Sequence, residues 1–322
     1  MAPPSPLVPG LSDIGTEIAA QLPGTWSAEL EIYSHPLWQE DLWPMLWEAG
    51  EMYRALEDHR IPFASVLKNG SGTELLLIER PGHSSGYLLG ALTDREQEDP
   101  HNDPTTPHSI VLPADPGLAA HAIADTFLPA HRRALHHQDL NNVLNGLARI
   151  QEEYETLQTI KDSGRYSDCV PLRDSRLIAG MERDFADRAW ISYRAVLEHA
   201  PLLLTRCRPA VTAWPEDAAA LDRLCEALVQ SQDAWGKWNN LRDELYSIPA
   251  TLSALEWSQV RGRLGLAVLP AIETWLSDSE VFERQVRAAV PGGPAALSAP
   301  TSRLLTARPA ALPSQRSAPA QR

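Results

Sequence analysis

FASVLKNGSGTELLLIERPGHSSGYLLGAL, residues 63–92, decides the fold. Phe63 to Leu67 and Thr73 to Ile78 are apolar runs, and Lys68-Asn69-Gly70-Ser71-Gly72 stands between them. Asn-Gly tolerates positive φ, so two apolar runs around it predict an antiparallel hairpin. Gly86 to Leu92 (GYLLGAL) adds a third strand, making a meander. Upstream, Trp26 to Tyr33 (WSAELEIY) alternates in the manner of an edge strand. Between it and the hairpin, Leu42, Met45, Leu46, Ala49, Met52, Tyr53 and Leu56 recur at three and four, predicting an amphipathic helix over Asp41 to His59. Pro44 is compatible with that helix because the first turn has no N–H to lose. Downstream, a polar, proline-broken loop (94–108) precedes a short strand, Ser109 to Leu112. Asp115 and Pro116 then announce a helix to about His137, Asp115 as cap and Pro116 at its first position.

From about residue 138 the strand signals stop. Leu140, Val143, Leu147, Ile150, Tyr154 and Leu157 form an apolar stripe at three-and-four spacing, ended by Lys161 and weakened by Gly146. It spans under three heptads, which favours packing inside a bundle over a free coiled coil. A second helix is expected from Ser175 to His199. A third starts at Pro215, with Glu216 and Asp217 in its first turn complementing the dipole, and runs to about Tyr246. A fourth opens at Pro249, and Pro270 should kink or end it. No internal repeat is present. The expected class is α+β: a flexible N-terminus (1–20), an antiparallel-sheet domain with helices (21–137), a mainly helical, bundle-like domain (138–290) and a disordered Pro/Ala/Arg tail (291–322).

The 322 residues carry 28 basic and 42 acidic side chains, a net charge of −14. Residues 1–140 hold −13 of it, 141–287 hold −5 and 288–322 hold +4, from Arg303, Arg308, Arg316 and Arg322. An acidic body repels phosphate backbones, so nucleic acid is not the expected partner, and no helix-turn-helix argues otherwise. Cys169, Cys207 and Cys225 are odd in number and lack metal spacing. The opening MAPPSPLVPG has neither the basic nor the apolar region of a secretory signal. The most apolar stretch, Val260 to Leu276, contains Arg261, Arg263, Pro270 and Glu273. A cytoplasmic protein without a membrane partner is expected.

Three segments, LPGTW (22–26), LLLIERPGHSSGYLLGAL (75–92) and SIVLPADPGLAAHAIADTFLPAHRRAL (109–135), resemble a region of uncharacterised proteins of high-GC actinomycete-type genomes and plasmids. The resemblance covers about residues 10–137 and implies an accessory gene of a mobile element. It assigns no activity and no residue role.

Five constellations are candidates for chemistry. Gly82-His83-Ser84-Ser85-Gly86 spells the G-x-S-x-G nucleophile elbow, with Ser84 as nucleophile, but a glycine-rich turn between strands explains the same letters. The loop from Glu96 to Asp103, with His101 and His108, gathers carboxylates and imidazoles. It lacks the glycine and spacing of a calcium loop, so a solvated acidic loop is the plain reading. His121, His131, His136 and His137 share one expected helix without the i, i+4 spacing of a zinc pair, so no metal is expected. Arg206-Cys207-Arg208 is a setting that depresses a thiol pKa, against which stands an idle cysteine between helices. Arg194 and His199 fit the R-x4-6-H pattern of HEPN ribonucleases, whose helical bundle resembles that expected for 140–287. In that family the two residues act on RNA phosphate across a dimer. Arg54/His59 and Arg132/His137 match as well, and this composition yields about two matches by chance.

Finally, Trp26, Trp38, Trp43 and Trp47 crowd 22 residues. As i, i+4 neighbours on the expected helix, Trp43 and Trp47 would share one face, either core or an aromatic anchor for a partner. Taken together, the sequence points first to a non-enzymatic interaction or regulatory accessory protein. It would hold a protein partner through an acidic and aromatic surface that includes Trp38, Trp43 and Trp47, with homo-oligomers formed through the helical domain. The alternative is a hydrolytic enzyme, a HEPN-like ribonuclease using Arg194 and His199. Neither reading requires a cofactor.

Overall fold

The computed structural model describes residues 10–47, 50–93, 106–165, 175–207, 215–246 and 254–291. The expected hairpin forms as β3 (Phe63–Asn69) and β4 (Glu74–Glu79), paired from Ser65↔Leu77 to Lys68↔Glu74. Its turn differs from the one expected of Asn69-Gly70: the positive φ falls on Gly72 and not on Gly70. Asn69 Oδ1 accepts from the Ser71 and Thr73 amides, both at 3.0 Å, and Gly72 takes φ 86°. β5 (Tyr87–Leu92) pairs with β4, and β1 (Trp26–Ile32) pairs with β3 from Trp26↔Asn69 to Ile32↔Phe63. Two short strands, β2 (Leu46–Trp47) and β6 (Ile110–Leu112), both pair with β5. The order is β1-β3-β4-β5-β2, all antiparallel, with β1 at one edge.

Both faces of the sheet are covered, which is why β4 and β5 read as continuous apolar runs instead of alternating ones. On one face Leu67, Leu75, Leu77 and Leu89 pack under α1 (Leu11–Gln21), which buries Leu11, Ile14, Ile18 and Ala19. Residues 11–20 are therefore a docked helix and not the expected flexible N-terminus; their i, i+3, i+4, i+7 apolar spacing supplies the reason. On the other face Val66, Leu76, Ile78 and Leu88 meet Met52 and Leu56 of α3 (Glu51–Asp58).

The helix expected over Asp41 to His59 is corrected. A one-turn helix α2 (Pro36–Glu40) precedes the segment, which itself holds a single 3₁₀ turn (Trp43–Met45), β2 and α3. Pro44 falls in the 3₁₀ turn, and Leu46 and Trp47 find partners in Leu92 and Ala91 on a distant strand. Tertiary pairing overrides the local period.

Asp115 caps α4 (Pro116–Ala122) by accepting from the Leu118 amide at 2.8 Å. A π-helical segment (Ile123–Phe127) leads directly into α5 (Leu128–Ser163). The wider π turn lies just ahead of Pro129, which lacks an N–H and would crowd the carbonyl four residues back. The boundary expected at 137/138 thus falls inside one continuous helix. Leu128 and Ala134 belong to the sheet's core, and Leu140, Val143, Leu147 and Ile150 to that of the bundle.

α6 (Ser175–Cys207), α7 (Pro215–Tyr246) and α8 (Ala254–Ala288) complete the bundle. α6 runs past the expected end at His199 through Pro201, and α8 runs through Pro270. In both, the residues beyond the proline (Leu203, Leu204 and Cys207; Ala271, Ile272 and Trp275) are buried, and that burial outweighs the missing hydrogen bond. Gly146, which lowers helix propensity, is an approach point: a Cβ there would lie 2.8 Å from the Ser192 carbonyl oxygen of α6. α7 and α8 are clamped by Arg223 on Asp278 and Arg284 on Asp217, each at 2.8 Å. The Asp217 carboxyl is held below its ordinary range, first by the Arg284 hydrogen bond. Among the described residues no helix is long and apolar enough to cross a membrane. The expected tail and the 94–105 part of the acidic loop lie outside the described residues, as do Cys169 and Arg208.

Candidate functional site

Several exposed apolar side chains of the N-terminal half lie along β1 and just beyond it. Leu30, Ile32 and the adjoining Phe63 are 39%, 58% and 48% exposed, and beyond the strand's end Trp38 is 53% exposed. Beside the strand's end a groove of about 340 Å³ is lined by Glu31, Ile32, Tyr33, Trp38, Asp41, Leu42 and Met45, while Leu30 and Phe63 border a separate cavity next to Leu11. The groove is apolar in its walls and acidic at its rim.

Its shape follows from one buried glutamine. Pro36 starts α2, and His35 caps it by accepting from the Leu37 amide at 3.2 Å. Gln39 then turns inward: its Nε2 donates to the carbonyls of Leu56 (2.6 Å) and His59 (2.9 Å), and its Oε1 accepts from the Ile61 amide at 2.9 Å. With one turn of helix fixed through Gln39, Leu37 and Trp38 are left on the outer side. At the groove floor the Tyr33 hydroxyl donates to the Glu31 carboxylate. Burial, then that hydrogen bond and the charges of Glu31 and Asp41, push the phenol well above its ordinary pKa. The Tyr33 hydroxyl therefore stays protonated near neutrality and donates to Glu31.

The tryptophans divide. Trp38 stands in the groove. Trp43 is half-buried against Tyr53, ring centroids 6.1 Å apart. Trp47 is 1% exposed in the sheet's core, edge-on to His131 at 5.5 Å. The shared face expected of Trp43 and Trp47 does not exist, because the two are not on one helix, and Trp47 cannot touch a partner directly.

Arg194 and His199 are both on α6, but five residues apart on a helix means about 140° of rotation. Arg194 is exposed and lies over the Trp235 ring of α7, 6.0 Å from its centroid. His199 is buried and faces α5, its Nδ1 donating to Asp139 Oδ1 at 2.9 Å and its Nε2 accepting from Asn142 at 3.3 Å. The structure does not bring the pair together within one chain. Both imidazole nitrogens are engaged by α5, so we expect His199→Ala to cost about 2 kcal/mol of stability, the scale of a hydrogen bond to a charged group. Urea unfolding reads this directly, and an unchanged midpoint would refute it.

The remaining candidates resolve into structure. G-x-S-x-G is the turn between β4 and β5, where Gly82 and Gly86 take φ 72° and 96°. No helix follows Ser84. Cys207 is buried, and burial, then the Cys225 charge, push its thiol up to about 12 against the opposing influence of Arg206. His121 pairs with Asp125 on the surface at 3.0 Å. His136 is buried, its Nε2 donating to the Val286 carbonyl at 2.9 Å and its Nδ1 accepting from Arg206 at 3.3 Å. Among the described residues no group of side chains is arranged to hold a metal ion.

His131 is buried between Trp47 and Phe127, and burial, then the Arg132 charge, lower its pKa to about 4. An unfolded histidine binds its proton near 6.5. The neutral buried ring therefore favours the fold fully above pH 6.5, and that contribution fades as pH falls toward 4. The full window is worth about 3 kcal/mol. Urea midpoints should fall from pH 7 to pH 4.5 more steeply for the wild type than for His131→Gln; equal slopes would contradict the assignment.

Comparison of the chain with protein-family models, with curated proteins and with solved structures finds no match.

Proposed function

We propose that this chain is a non-enzymatic interaction protein that holds a protein partner in the groove beside β1. The observation that carries the reading is Trp38, more than half exposed between Ile32 and Met45 and next to the carboxylates of Glu31 and Asp41. An exposed indole on a fixed turn offers a large apolar surface with little conformational entropy left to lose, and tryptophan is enriched among residues that dominate binding energy. The acidic rim adds steering toward a basic partner and repels nucleic acid.

Affinity capture of the tagged full-length protein from native cell lysate, with and without nuclease, tests this. A stoichiometric protein partner should survive nuclease and fall by about 30-fold with Trp38→Ala, the effect of losing about 2 kcal/mol. Leu118→Ala, an exposed site on α4, should leave capture unchanged. Equal capture by Trp38→Ala and the wild type would remove the reading.

A further inference from the structure

The backbone of β1 is as informative as the groove beside it. The Tyr33 amide donates to the Pro62 carbonyl at 2.9 Å, which makes Tyr33–Pro62 a hydrogen-bonded pair of the antiparallel ladder. Such pairs alternate with non-hydrogen-bonded ones, and the register is unbroken from Ile32↔Phe63 to Trp26↔Asn69. Ser27, Glu29 and Glu31 therefore turn their amides and carbonyls toward β3, while Ala28, Leu30 and Ile32 turn theirs outward. Among the described residues β3 is the one sheet neighbour of β1, so these groups line an open edge. Side chains sort by the same alternation, with Leu30 and Ile32 on one face and Glu29 and Glu31 on the other.

We propose that the open edge of β1 binds its partner by strand addition, and that the added strand sets apolar residues opposite Leu30 and Ile32 and Lys or Arg opposite Glu29 and Glu31. The proposal rests on the groove being a protein-binding site and names the kind of segment it takes.

Charge complementarity selects this occupant. β3 already answers the same acidic row from its other side, with Lys68 Nζ 2.9 Å from the Glu29 carboxylate. A second copy of β1 is the wrong partner. Two-fold antiparallel pairing centred on residue 29, 30 or 31 sets Glu29 opposite Glu29, Glu29 opposite Glu31, or Glu31 opposite Glu31. Each falls at a non-hydrogen-bonded position, where cross-strand side chains are closest and like charges destabilise. The acidic row thus disfavours the self-pairing registers with the longest overlap and leaves a basic, alternating strand as the segment that fits best. The groove lies on the Glu31 and Tyr33 face, so the residue of that strand that falls opposite Tyr33 is the one that would reach it, at Tyr33, Trp38 and Met45.

Fluorescence anisotropy with a labelled octapeptide alternating valine and arginine tests the idea on the full-length protein. At about 150 mM salt, where long-range attraction is screened, binding should saturate and exceed that of the valine–glutamate octapeptide by at least about ten-fold. N-methylating the alternate amides that face β1 keeps the charge but removes the ladder, and should weaken binding by about ten-fold. The double variant E29K/E31K should reverse the order of the two octapeptides. Binding indifferent to N-methylation, or an order unchanged by E29K/E31K, would overturn strand addition. Such a failure, with Trp38-dependent capture intact, leaves the groove as a binding site of another kind; loss of that dependence removes the underlying reading instead.

Discussion

Trp47→Ala is expected to cost about 3–5 kcal/mol, the usual range for deleting a fully buried large aromatic. Trp47 is 1% exposed, lies in the core between sheet and helices, and touches His131 edge-on. Collapse into the cavity is hindered because β2 is pinned to β5 at Leu46↔Leu92 and Trp47↔Ala91. A loss of that size is a large fraction of a typical domain's stability, so the variant should unfold at much lower denaturant than the wild type. Trp38→Ala, nine residues earlier, should leave the midpoint within about 0.5 kcal/mol of wild type, as exposed substitutions do. Denaturant melts of the two variants side by side separate the core tryptophan from the surface one. Similar midpoints would contradict the division drawn here.

Gly265→Ala is the second large expectation. In α8, Gly265 lies against α6 so closely that an added Cβ would overlap the Ala186 carbonyl, which is helix backbone and cannot swing aside. One turn away, a Cβ at Gly262 would meet Arg183 Cγ at 2.6 Å, the movable part of a flexible side chain. Gly265→Ala should therefore force α6 and α8 apart and cost about 3 kcal/mol, the upper end for overpacking. Gly236 in α7 has nothing within 4 Å of its would-be Cβ. There the same substitution should gain about 0.5–1 kcal/mol from helix propensity alone. Opposite signs for one chemical change, read by thermal or urea unfolding, check the closeness of the α6–α8 crossing; a neutral Gly265→Ala would refute it.

What could be read in the sequence was local. The β3–β4 hairpin was legible because Asn69 and Gly72 perform turn chemistry that few other residues perform. The bounds of α7 were legible because Pro215 and the acidic pair Glu216 and Asp217 mark a helix start whatever surrounds them. The 41–59 segment misled because its three-and-four period is shared by residues that serve three different elements, and the pairing of Trp47 with Ala91 has no local signature. Gly146 looked like a weak point in a stripe and is a contact surface. Pro270 reads as a kink or an end, and the helix before Pro201 reads as stopping at His199, yet burial on both sides carries both helices through.

The candidate site was half legible. Trp38 stood out as a tryptophan, and WSAELEIY announced an edge strand by its alternation. Which tryptophan faces outward was decided by Gln39, a single polar residue whose three inward hydrogen bonds fix α2. Nothing in its neighbours' types signals that role. Glu31 and Asp41 become groove residues only once the strand's end and α2 are placed side by side.

The most direct measurement is photo-crosslinking in the native cell with Trp38 replaced by benzoylphenylalanine, alongside the same replacement at Leu118. One crosslinked protein species is expected from position 38 that is absent from position 118, and that shrinks when Glu29 and Glu31 are changed to lysine. The same products from both positions, or none from position 38 in a folded and expressed protein, would contradict it.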